Sequence, residues 1–345
     1  MFQRCWGLYL FTAVFIAVMP FVCSARQEVT RPSPPPLPTE KEEQEPIKVY
    51  TEEVKLPVIA YDSRGRFDPT LESNDVLVLE DGTPQQVRSV RRVPANILII
   101  SDMGGQITDT RSMNTTREMA LKIVAGLREG DRVAIIQNSN RVEMLSDWTT
   151  DTAGVLQILK TKLFSGNHSR LSKCLTAAAD KLKEMPVGNT HVVIFTDGLE
   201  TQNDQGEYAE ALGRIVSTQS TTHVITYSGL ARQSVKSRNG NLLDMDFEMK
   251  RWRKKYAEGM KRNDERLALL VQEMGGRLLM PMTTDEAAAG ADEVAHDIGA
   301  QYVVTYTPMR PFADSKERRS ISISSRRVGL QLIAMRSYVA PSVRP

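Results

Sequence analysis

Two carboxylates stand where this chain could do chemistry. Asp102 closes the run Ile97-Leu98-Ile99-Ile100-Ser101, and Asp197 follows His191-Val192-Val193-Ile194-Phe195-Thr196. Glycines come next in both places, Gly104 and Gly105 in the first and Gly198 in the second. Apolar runs without polar alternation suit strands covered on both faces, as in a parallel sheet between helices. Open sheets of that kind gather ligands at the carboxyl ends of their strands. On neighbouring strands the two carboxylates would lie roughly 5 Å apart and repel by about 3 kcal/mol at an effective dielectric near 20. A cation, a proton held by one of them, or a nearby base such as Arg170 would relieve the repulsion. The plainer alternative is that both side chains cap loops and helix starts.

The loop Gly166-Asn167-His168-Ser169 adds an imidazole and a hydroxyl. With Asp197 they compose a conceivable hydrolytic triad, but adjacent residues at one helix start rarely aim both side chains at one reacting atom. The chain has no Gly-x-Ser-x-Gly, no phosphate-binding glycine loop with Lys, and no His/Cys metal spacing. His191 and His223 fall at strand starts and read as structural. No enzyme is expected; a hydrolase using the same edge is the alternative.

The elements that must position these residues follow from periodicity. Strands are expected at 97–101, 132–137, 142–145, 190–196 and 223–227, and helices at 113–127, 152–163, 169–184 and 208–216. Their alternation implies a doubly wound, mainly parallel sheet. Residues 52–93 read as three short strands, too few to be stable alone. The runs Ser320–Ser324 and Leu330–Ala334 read as a hairpin that pairs with them to complete a small β-sandwich. Between 228 and 264 the chain is longer than a βα connection needs. Its Met249-Lys250-Arg251-Trp252-Arg253-Lys254-Lys255-Tyr256 reads as a solvated helix with Trp252, Tyr256 and Met260 on one stripe, rather than a nucleic-acid patch. It leaves the strand edge that carries Asp102 and Asp197, and so could cover them.

The Asp-plus-Gly exits at 102 and 197, with the 166–169 loop between them, resemble the von Willebrand factor type A (VWA) domain. In that family an Asp-x-Ser-x-Ser motif, a distant Thr and a Thr-Asp-Gly motif hold a divalent cation, the metal-ion-dependent adhesion site. Carried over, the resemblance implies Asp102, Ser169 and Asp197 as ligands of Mg²⁺ or Mn²⁺. Gly104 and Gln106 fall where the motif has serines. Gln106 can offer an amide oxygen and Gly104 only backbone, so the implied site is degenerate and weakened. The surface around it would comprise Gly104, Gly105, Asn167, His168 and Gly198. Gly275-Gly276-Arg277, then Gln301-Tyr302-x-x-x-Tyr306-x-Pro308, then Gly329-Leu330 and Arg336-x-Tyr338 are similar to the VWFA-related acidobacterial domain family of exported bacterial proteins. Glu80-Asp81-Gly82-x-Pro84-Gln85 looks like that family's N-terminal region.

The first residues support export. Cys5–Val22 carries no charge after Arg4, and Cys23-Ser24-Ala25 offers small residues before Arg26. This reads as a signal peptide, with an uncleaved membrane anchor as the alternative. Residues 26–50 are rich in Pro and Glu and read as an extended linker. Of three cysteines, only Cys174 would remain after cleavage, on a helical pattern that buries it. Asn114-Thr115-Thr116 and Asn167-His168-Ser169 are formal glycosylation acceptors. A charged fraction of 25% and a net charge of +2 over 345 residues exclude a nucleic-acid-binding composition.

The expected organisation is therefore a signal peptide at 1–25, a linker at 26–50, a β unit at 51–94, an α/β domain at 95–308 with an insertion at 229–262, and a hairpin at 309–345 packing on 51–94. The expected function is an exported, adhesion-type module that recognises a protein partner through the strand-end surface. Neither nucleic acid nor, unless the N-terminal segment stays uncleaved, a membrane is an expected partner.

Overall fold

Alternating burial drives the first strands together. In the computed structural model, which describes residues 52–104, 110–200, 205–237, 247–312 and 317–340, β1 (Val54–Tyr61) turns Val54, Leu56, Val58 and Ala60 into a shared core. β2 (Val76–Glu80), β3 (Thr83–Gln85) and β4 (Val87–Arg91) follow. The expected signal peptide and linker, with Gly105 and Gln106, lie outside the described residues.

The apolar run at 97–101 is β5 (Asn96–Asp102), and every residue after Asn96 is buried. Next come α1 (Thr110–Ala125), β6 (Arg132–Asn138), β7 (Val142–Thr149), α2 (Thr152–Lys162), α3 (Leu171–Leu182), β8 (Thr190–Thr196), α4 (Gln205–Ser217) and β9 (Thr221–Thr226). Then come α5 (Ser228–Ser237), α6 (Phe247–Met274), β10 (Leu278–Leu279) and α7 (Thr284–Gly299). The six-stranded sheet runs β10-β9-β8-β5-β6-β7, parallel throughout except at β7. Ile97 and Ile99 pack against α1, α2 and α7, while Leu98 and Ile100 pack against α3, α4 and α6. Helices on both faces explain why these strands are apolar without alternation.

The chain closes with β11 (Gln301–Tyr306), β12 (Arg318–Ser325), β13 (Gln331–Ala334) and β14 (Ser337–Val339). Two four-stranded antiparallel sheets, β13-β1-β11-β4 and β14-β12-β2-β3, face each other across one core. Residues 320–324 and 330–334 do reach the N-terminal strands, but as members of different sheets: β12 pairs with β2, and β13 with β1. Gln301–Tyr306, read from sequence as part of the α/β stretch ending at 308, lies in the sandwich between β1 and β4. It is buried on both faces, which gives it the apolar look of a parallel strand.

The quoted C-terminal motifs are packing devices. Glu80 and Arg319 form a buried ion pair at 2.8 Å, and the hydroxyls of Tyr306 and Tyr338 both donate to the other oxygen of Glu80, at 2.7 and 2.8 Å. Arg319 also donates to the carbonyls of Arg310 and Pro311. One carboxylate thus fastens β2, β11, β12 and β14. Arg277 pairs with Asp297, which also accepts from the Tyr61 hydroxyl. Gly276 is required where it stands, because a Cβ there would meet the Thr222 carbonyl oxygen at 1.9 Å. The described residues make one compact unit. Among the described residues no helix is long and apolar enough to cross a membrane.

Candidate functional site

In-register parallel strands place like-numbered ends side by side. Asp102 is level with Asn138 on β6, and Ser101 with Phe195 on β8, so Asn138, Asp102 and Thr196 form one row across three strands. All three point to the α3 face, in phase with Leu98, Ile100, Ile136 and Ile194. Thr196 Oγ1 donates to Asp102 Oδ2 at 2.6 Å. Asn138 Nδ2 donates to Asp102 Oδ1 at 2.8 Å, and Ser169 Oγ to the same oxygen at 3.0 Å. The Asn138 amide also reaches Ser169 Oγ at 3.1 Å. Its own carbonyl oxygen accepts from the Arg170 N–H at 3.2 Å. Arg170 therefore meets this site through its backbone, and its side chain is exposed.

Asp197 leaves β8 on the same edge, as the sequence led us to expect. Its Oδ1 accepts from the Leu199 N–H at 2.9 Å, and the Tyr256 side chain lies beside its carboxylate. Neither Asp is open to solvent: Asp102 is 4% exposed and Asp197 6%. Burial raises the Asp102 pKa, and the charge of Asp197 raises it further, against the pull of its three donors. Burial raises Asp197 in the same direction, opposed by its backbone donors.

Two covers exclude water. The first is the loop before α3: Gly166 N–H bonds to the Met103 carbonyl at 2.9 Å, and Asn167 N–H to Asn140 Oδ1 at 2.8 Å. The second is α6, on which Asn263 donates to the Gly198 carbonyl. Gly198 has φ 71°, and a Cβ there would sit 2.7 Å from Asn263 Cβ. The length of α6 and its contact with the Asp197 turn turn the expected cover into an observed one. Trp252, expected on its apolar stripe, has a side chain outside the description; Met260 is buried and Tyr256 faces Asp197.

The residues fit a divalent cation poorly. A Cβ on Gly104 would meet the His168 carbonyl oxygen at 2.1 Å and Ser169 N at 2.8 Å. Backbone thus fills the place where the family's first serine would present its hydroxyl. The Asn138 amide, a hydrogen donor, lies between the Asp102 carboxylate and the Ser169 hydroxyl, where a cation would need oxygens alone. Among the described residues no three Asp, Glu, His or Cys side chains are grouped to hold a metal. Of the expected surface residues, Asn167 and His168 are exposed, Gly104 is half-buried and Gly198 is buried under α6. Asp102 and Asp197 share one edge of the sheet, and both lie beneath two covers. The conceivable triad does not form, because the Ser169 hydroxyl bonds to Asp102. Sequence reasoning missed Asn138, whose signal was its place one residue past an apolar strand level with Asp102.

Residues 94–200 match the family model of the von Willebrand factor type A domain. No curated protein matches the chain. Among solved structures it is similar to a von Willebrand factor type A protein from Catenulispora acidiphila at 10% identity and TM-score 0.46, covering 86% of this chain and 75% of that one. It is similar to BatB from Bacteroides thetaiotaomicron at 13% identity and TM-score 0.41, covering 59% and 98%. It is also similar to the PilB minor pilin from Streptococcus sanguinis at 9% identity and TM-score 0.42, covering 61% and 63%. With a mainly parallel sheet between two helix layers and the Asp102 and Thr196-Asp197-Gly198 turns on one edge, this chain carries a von Willebrand factor type A domain over residues 94–200.

Proposed function

We propose that this chain is an exported protein-binding module that engages its partner at the carboxyl edge of the sheet without a bridging cation. The observation that carries the reading is the hydrogen-bonded plug of Asn138, Ser169 and Thr196 on Asp102. It ties down the family's adhesion edge with the protein's own donors. The partner then meets what covers that edge: the exposed Asn167 and His168 and the outer side of α6. That side exposes Arg251, Lys254, Lys255, Lys261 and Arg262 against Glu258 and Glu265, so its complement is an acidic protein surface. The domain match, to a family of interaction modules, supports binding over catalysis. The export part rests on the uncharged run of residues 5–22.

A pull-down from a bacterial envelope fraction tests this reading. A retained protein that survives chelator and is lost on Asn167→Ala/His168→Ala or Lys254→Ala/Lys255→Ala supports it. Retention that chelator abolishes would contradict the cation-free part, and retention unchanged in both variants would remove the edge as the binding surface.

A further inference from the structure

At the opposite end of the parallel sheet a second site is built. A cleft of about 620 Å³ opens between the sheet's amino-terminal edge and the outer face of β1, β11 and β4. That volume falls within the range of small-ligand pockets. Antiparallel register sets its first wall: Lys55, Thr305 and Ser89 are level across the three strands, and Arg91 is level with Val303. These positions alternate with Val54, Leu56, Val90 and Val304, which face the sandwich core. The second wall is the start of β6, where Arg132 is level with Asn96 of β5. Gly188, with φ 140°, closes the floor; a Cβ there would lie 3.4 Å from Val303 and 3.9 Å from Lys55.

The charges in this cleft are unbalanced. Lys55, Arg91 and Arg132 line it with one acid, Glu53, leaving three cations against one anion. The Glu53–Lys55 pair spans 3.9 Å with both side chains nearly half exposed, so it holds neither firmly. Arg91 and Arg132 are exposed and in no ion pair among the described residues. The arginines beside them differ. Arg92 donates to the Gly299 carbonyl and lies over the Phe67 ring, and Arg128 pairs with Asp131 at 3.8 Å. Local structure thus engages Arg92 and Arg128 and leaves the other two facing the cleft.

Guanidinium forks match the oxygens of phosphate and carboxylate groups in bidentate fashion. A surplus of two positive charges matches a phosphomonoester, which carries close to two negative charges above its second pKa of about 6. The volume leaves room for a polar carrier beyond the phosphate. We propose that this cleft binds a phosphomonoester, with Arg91 and Arg132 clasping the phosphate from the two walls and Lys55 adding the third charge. The site is independent of the Asp102 edge and of any reading of it.

The test uses the full chain at low ionic strength and pH 7.5. One arm titrates glycerol 3-phosphate by calorimetry; the other sediments the protein with phosphatidic acid vesicles against phosphatidylcholine vesicles. Saturable binding in either arm, weakened more than about tenfold by Arg91→Ala/Arg132→Ala, is expected. Binding in solution marks a soluble ligand, and binding to phosphatidic acid alone marks a membrane headgroup. No saturable binding in either arm, or equal binding by the double variant, overturns the proposal. Both substituted side chains are exposed, so the variant keeps its fold, and its melting temperature checks that.

Discussion

The Asn138 amide nitrogen stands 2.8 Å from Asp102 Oδ1 and 3.1 Å from Ser169 Oγ, bridging a carboxylate and a hydroxyl. An amide nitrogen can do this only by donating, so a hydrogen donor stands where a cation would need an oxygen. Asn138→Ala strands a buried acceptor and should lower stability by about 1–3 kcal/mol. Gly104→Ser, which restores the family's residue type, should also destabilise, by about 1–3 kcal/mol, because it meets the backbone at 168–169. Urea unfolding measures both; a neutral or stabilising Gly104→Ser would show that the loop gives way.

Two buried histidines set the acid limit. His191 Nδ1 and His223 Nε2 lie 3.4 Å apart, and burial lowers both pKa values, His223 to about 4. A group depressed on folding binds its proton in the unfolded chain first. Stability is therefore full above the ordinary histidine value of 6.5 and falls as pH drops towards 4. Asp102, raised by burial, acts in the opposite sense: its contribution is full below the ordinary carboxylate range and is lost as pH rises. Between about 4 and 6.5 the two effects oppose each other, and above 6.5 melting temperature should fall as pH rises to about 8. Asp102→Asn should remove that upper fall and uncover the histidines' loss of stability below 6.5, whereas His223→Gln should let the fall begin at lower pH.

The sandwich rests on one carboxylate. Arg319→Met leaves Glu80 buried and unpaired and should cost about 3–5 kcal/mol, whereas Tyr338→Phe removes one of its donors and should cost about 1–2 kcal/mol. Deleting 315–345 removes β12, β13 and β14 and should speed hydrogen exchange in β1 and β2. Unchanged exchange there would contradict the pairing.

Recognition through α6 should depend on salt. The cations at 251, 254, 255, 261 and 262 are solvent-exposed, so their reach shrinks to about 8 Å at physiological ionic strength and about 3 Å at 1 M. Partner retention should fall severalfold between those conditions, and Lys254→Ala/Lys255→Ala should reduce the dependence. Salt-independent retention would point to an apolar contact instead.

Much of this was legible in the chain. Strands covered on both faces announce themselves as unbroken apolar runs, which is why β5, β6, β8 and β9, and with them the shared edge of Asp102 and Asp197, could be read directly. The same rule misled at Gln301–Tyr306, because β11 is covered on one face by the sandwich core and on the other by the body of the α/β part. Asn138 was illegible for a different reason. Its role depends on register, and register between β5 and β6 is set by packing across more than thirty residues. The closure of the rim was half legible: the position of the 228–264 stretch pointed to it, but the contacts of Tyr256 and Asn263 with the Asp197 turn appear only once α6 is in place.

Calorimetric titration of Mg²⁺ and Mn²⁺ into the wild-type chain and Asn138→Asp tests the central claim most directly. The variant exchanges the donor for a third carboxylate beside Asp102, and so creates the oxygen-rich, anionic site that the wild type lacks. We expect no saturable heat and no change in melting temperature for the wild type, and saturable binding with a raised melting temperature for Asn138→Asp. Saturable wild-type heat that disappears in Asp102→Ala would contradict the account.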